Sequence, residues 1–209
     1  MTRRRKRRLS PLRPGDVGAF TAATAADAPG SWLLPQSGDL LRDVMHLQAC
    51  AGREGDAKAR IVFARAAIVM GMAAIEAATN DALAAVLALM TGEVPEGRAK
   101  TPPWRHFAGR SASRVALLLR GGKFASKRAY VLWQIERITD AVPGESLLAA
   151  MDRLRHARNR IVHTNYRARP ENMERDDAPA VAATAGDCAR RYIDFLKEGF
   201  NGFGLSLEG

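Results

Sequence analysis

The residues best suited to chemistry lie in one stretch, "RHARNRIVHTN", from Arg155 to Asn165. It holds Arg158 and Asn159 side by side, then His163 five residues after the Arg. A histidine titrates near neutral pH and can give or take a proton. An arginine offers a fixed, planar, bidentate fork for a phosphate. Together they suit proton transfer beside a phosphate. The His moves a proton and the Arg holds the charge that builds on phosphorus oxygens. Neither task needs a metal or any other cofactor.

The element that must position these groups is a helix. An α-helix turns about 100° per residue. Taking Leu147 as the origin, Met151 lies about 40° and Val162 about 60° to one side. Leu154 lies about 20° and Ile161 about 40° to the other side, which completes one apolar stripe. Arg158 falls about 20° from the origin, inside that stripe, where its guanidinium must find a partner. Asn159 lies at about 120° and His163 at about 160°, one turn apart on a flank. Arg158 reaches them by its long stem, at a C-terminal helix end whose dipole favours a protonated His. The competing reading makes Arg158 a core-edge residue paired with a carboxylate such as Glu76, and His163 a helix-end cap.

Around this helix the chain reads as all-α, a helical bundle. Apolar residues recur at helical spacing over about 39–51, 56–90, 112–120, 126–141, 144–164 and 178–199. In the second segment Ile61, Ile68, Met72, Ile75, Leu83, Val86 and Met90 form the face, with Thr79 filling one step. Ser37 or Asp39 can cap the first. Residues 1–36 read as a basic, Pro-, Gly- and Ala-rich tail and 37–205 as the helical domain. "TGEVPEGRAKTPPWRHFAGR" is a long loop between helices, and such loops are often functional.

Net charge is +10. Seven of those charges, Arg3, Arg4, Arg5, Lys6, Arg7, Arg8 and Arg13, stand before residue 16 without an acid, leaving +3 for the rest. Such a tail can hold RNA phosphates without reading sequence, or it is a solvated tail. No apolar run follows it, so it is not a signal peptide. The apolar segment 66–90 carries Glu76, Asn80 and Asp81, which argues for a buried helix and against a membrane span. Cys50 and Cys188 make no framework, and a reduced cytoplasmic setting is the default. No metal site is expected. His156 and His163 stand about 10 Å apart along one helix, and Asp152 with His156 reads as an ordinary helix pair. Trp104, beside Arg105 in the loop, could stack on bases, whereas Trp133 falls in an apolar helical pattern and reads as core.

The stretch "RNRIVH" resembles the Arg-x4-His signature of HEPN domains, with the favoured Asn after the Arg. "AIVMGMAAIEAATNDAL" resembles the family's long first core helix, with an acid and an Asn four apart at Glu76 and Asn80. The likeness covers about residues 57–199. It implies a metal-independent endoribonuclease of the toxin or defence kind, with Arg158 and His163 catalytic and Asn159 positioning. Glu76 and Asn80 are then supporting residues that orient Arg158. It implies a homodimer whose two motifs line one cleft. Some members are non-catalytic binding modules, which keeps that alternative open. So does an antitoxin partner, for instance a small nucleotidyltransferase-like protein.

Overall fold

The computed structural model describes residues 35–89, 107, 110–163 and 178–201, without the side chains at 35, 36, 88, 89, 112 and 163. Among the described residues there are six α-helices and no strand. They are α1 (Pro35–Arg53), α2 (Ala57–Leu89), α3 (Ala112–Arg120), α4 (Phe124–Thr139), α5 (Glu145–His163) and α6 (Ala178–Asn201). The all-α bundle expected from periodicity is what forms.

Local signals set the boundaries. α1 starts at Pro35, whose fixed φ suits a first helical position. Ser37 lies inside that helix and is fully buried, so neither it nor Asp39 is the cap. Asp56 caps α2, accepting from the backbone N–H groups of Lys58 and Ala59 at 3.3 and 3.1 Å. α4 ends where Asp140 turns left-handed at φ 55°, its N–H donating to the Glu136 carbonyl.

Helix α2 is the axis of the bundle, with α1, α4, α5 and α6 packed around it. Its apolar length meets the length and composition of a membrane-crossing helix. Yet Ile68, Met72, Ile75, Leu83 and Val86 are buried against the other helices, as the expected stripe requires. Small residues bring the backbones close. A Cβ on Gly71 would sit 3.2 Å from the Ala185 Cβ of α6 and 3.6 Å from Leu154 Cδ2 of α5. Higher up, the buried Thr79 hydroxyl donates to the Ile75 carbonyl at 2.7 Å and lies 3.0 Å from the Tyr192 hydroxyl of α6.

These contacts fix the directions. Gly71 meets Ala185 and Thr79 meets Tyr192, so α2 and α6 run parallel. Ser146, at the start of α5, accepts from Arg191 at 3.2 Å, whereas Leu154 lies beside Ala185 and Gly71. Helix α5 is therefore antiparallel to both. Its C-terminal end sits at the level of the first turns of α2.

Candidate functional site

Leu147, Met151 and Leu154 are buried, as the helical wheel requires. Beyond Leu154 the wheel needs correcting. Ala157 is buried, Arg158 and Ile161 are half-buried, and Val162 is 49% exposed. The cause is that α5 packs against both α2 and α6, so its buried arc drifts toward Ala150 and Ala157. Val162 is thus no anchor of the motif. Arg158 stands half-buried at the rim of the stripe.

At that rim Arg158 Nη1 donates to Asn159 Oδ1 at 3.2 Å. The Arg–Asn pairing inferred from the sequence is therefore present. His163 is the last residue of α5, one turn beyond Asn159. Its side chain lies outside the described residues, as do Arg3, Arg4, Arg5, Lys6, Arg7, Arg8, Trp104 and Arg105.

Two supporting residues are not brought to the motif. Leu154 lies against Gly71, so Arg158, one turn on in an antiparallel helix, falls level with about Ala67. Glu76 is then about 13 Å farther along α2, and about 140° round it from Gly71. No ion pair joins Glu76 to Arg158 among the described residues. The carboxylate partner expected for a misplaced arginine is replaced by the neighbouring amide. Asn80, four residues on and on nearly the same side of α2 as Glu76, accepts from Lys127 Nζ of α4 at 2.8 Å. Its role is to tie α4 to α2.

The exposed flank of α5 carries the site's charge. From Arg153 to His163 there are four arginines and two histidines, and no acid. Asp152 closes the run, but not as a partner of His156. Its Oδ1 lies 3.4 Å from Arg155 Nη2 and 3.5 Å from Arg128 Nη1 of α4. The Arg128 guanidinium also sits 5.7 Å above the Phe124 ring. This cross-helix bridge has no signature in sequence, because nothing local tells which residue of α4 meets α5.

Trp133 packs half-buried against the core with its ring 5.8 Å from Tyr130, as its helical setting suggests. Cys188 is buried and Cys50 half-buried, both free. Burial pushes the Cys188 thiol up to about 11, against a smaller lowering by Arg191. It pushes Tyr192 up to about 12, against the lowering by its Thr79 hydrogen bond. Sequence reasoning missed the contact of Cys50 Sγ with His46 Nε2 at 3.6 Å, although their four-residue spacing was a signal. Among the described residues no three His, Cys, Asp or Glu side chains gather at one point. An open pocket of about 380 Å³ lies between α3 and α4, lined by Phe107, Arg110, Lys123 and Ser126 among others. No motif residue lines it.

No protein-family model, curated protein or solved structure matches the chain.

Proposed function

We propose that the chain is a metal-independent endoribonuclease of the HEPN type, with Arg158 and His163 as the catalytic pair and Asn159 positioning the Arg. The observation that carries this reading is the state of Arg158. It is half-buried on the face of a helix end rich in cations, and it is held by an amide instead of a carboxylate. An arginine neutralised by an acid is poorly placed to take a phosphate. One steadied by an amide keeps its full charge and most of its donors.

The chemistry follows from those groups. His163 takes the proton of a 2′-hydroxyl as its oxygen attacks phosphorus. The bond from phosphorus to the 5′-oxygen breaks, and that oxygen receives a proton from the medium or from a second His163. The products are a 2′,3′-cyclic phosphate and a 5′-hydroxyl. Arg158 stabilises the extra charge on the phosphoryl oxygens. A homodimer would set two motifs in one cleft, and a cytoplasmic toxin or defence role, with an antitoxin as silencing partner, fits such an activity. The test is cleavage of single-stranded RNA in EDTA by the wild type and by His163→Ala. The wild type should leave cyclic-phosphate ends and the variant should lose the activity by about two orders of magnitude or more. Undiminished cleavage by His163→Ala would overturn the reading.

The acid-free cationic run of α5 equally supports a second reading, a helical module that binds RNA without cutting it. Under it RNA is retained intact, Arg158→Lys is tolerated, and loss of residues 1–14 weakens binding and flattens its salt dependence.

A further inference from the structure

We propose that Arg128 and Arg155, drawn together by Asp152, form a second phosphate-binding point that holds the RNA backbone away from the scissile bond. This deepens the ribonuclease reading and rests on it. Asp152 brings one negative charge to two guanidinium groups, at 3.4 and 3.5 Å. Both distances are long for a charge-assisted bond, and neither pair is a bidentate fork. The cluster therefore keeps a net positive charge and unused donors. Arg155 Nε is buried without a hydrogen-bond partner. Its Nη2 faces a third basic group, His156 Nε2, at 3.5 Å.

The cluster is also rigid where a phosphate would need it to be. Arg128 is only 18% exposed and is braced by the Phe124 ring. Arg155 is 35% exposed, so its guanidinium edge reaches solvent. The position suits a polyanion that already meets the motif. Arg155 lies at about 80° on the α5 wheel, between Arg158 at about 20° and Asn159 at about 120°, on one flank. It precedes His163 by about 12 Å along the axis. A single strand that reaches from one point to the other must carry phosphates beyond the scissile one. A dinucleotide is too short to span both points, whereas an octanucleotide spans them.

The experiment compares kcat/KM on a dinucleotide and on a single-stranded octanucleotide, and measures octanucleotide affinity against salt. The double variant Arg128→Gln/Arg155→Gln should lower the octamer-to-dinucleotide ratio about tenfold. It should also reduce the slope of log Kd against log salt by about one to two. Because Arg128 ties α4 to α5, a loss of folding is separated by Asp152→Asn. That change breaks the same bridge but frees both cations, so it should tighten octamer binding several-fold while lowering Tm. An unchanged ratio and salt slope in the double variant, or Asp152→Asn that lowers Tm without tightening binding, would overturn the proposal. His163→Ala with full cleavage sinks the ribonuclease reading instead. The salt slope still decides the phosphate point in that event.

Discussion

The two halves of α5 are built differently. Its first half, residues 146–154, is fixed from several sides. Leu154 sits on Gly71 and Ala185, Ser146 accepts from Arg191, and Asp152 reaches Arg128 of α4. Its second half carries the proposed catalytic groups and is tied less to other helices. The hydrogen bond of Arg158 goes to the next residue of its own helix. Val162 is half exposed. The difference teaches that the bundle grips the helix behind the motif and presents the motif from its end. Rigidity is supplied by the first half, while Arg158 in the second half is bonded within its own helix.

The grip on α5 should respond most strongly to substitution. Leu154→Ala removes side-chain volume at a three-helix junction and should cost about 2–5 kcal/mol, read as a urea midpoint shift. A cost below about 1 kcal/mol would show that the junction does not hold α5. Gly71→Val attacks the same point by overpacking. Its first carbon alone would lie 3.2 Å from Ala185 Cβ. The expected loss is about 1–3 kcal/mol, and Gly71→Ala should cost less, since the α6 side chain needs to give by only tenths of an ångström. Both variants should lower RNA cleavage only as far as they unfold the protein.

Much of this grip was legible in the sequence. The three- and four-residue spacing of Leu147, Met151 and Leu154 named their burial, and α2 showed the same stripe down to Thr79. What stayed hidden depends on pairs distant in the chain. The wheel put Arg158 inside the stripe and Val162 at its edge, because a wheel cannot say that two helices, α2 and α6, will grip α5 and draw its buried arc toward Ala157. Glu76 looked like a partner for Arg158 because both carry charge. Which face of α2 meets α5 is decided by Gly71 and Ala185 together, and those residues put Glu76 on another side. The Arg–Asn contact was readable for the opposite reason, since neighbours on one helix need no tertiary knowledge.

A smaller effect is expected at the buried hydroxyl pair. Tyr192→Phe removes the Tyr192 end of the Thr79 contact, and Thr79 keeps its bond to the Ile75 carbonyl. The expected cost is about 0.5–1.5 kcal/mol. Alkaline titration sharpens the point. Burial raises Cys188 from 9.0 to about 11 and Tyr192 from 10.0 to about 12. Both groups stay protonated in the fold when the unfolded chain has lost its protons. Stability is therefore full below about pH 9 and falls as pH rises through the 9–12 window, since the unfolded state then binds fewer protons. Tyr192→Phe should flatten the upper part of that fall. A stability that rises above pH 9 would contradict the burial of both groups.

The smallest expected change in stability is at the presented end. Arg158→Met keeps a long apolar stem on the rim of the stripe and removes the charge. If the arginine served the fold, it would tie helices together, and its loss would cost about 3–5 kcal/mol, as for a broken buried ion pair. Its hydrogen bond instead joins adjacent residues of α5, so the substitution should alter stability by less than about 1 kcal/mol, in either direction. RNA cleavage should disappear in the same variant. Stability measured by urea and cleavage measured in EDTA then separate on one residue. A large destabilisation would make Arg158 a structural ion and leave the motif without its cation. A small one with activity lost would mean that the residue breaks the apolar pattern for the sake of its ligand.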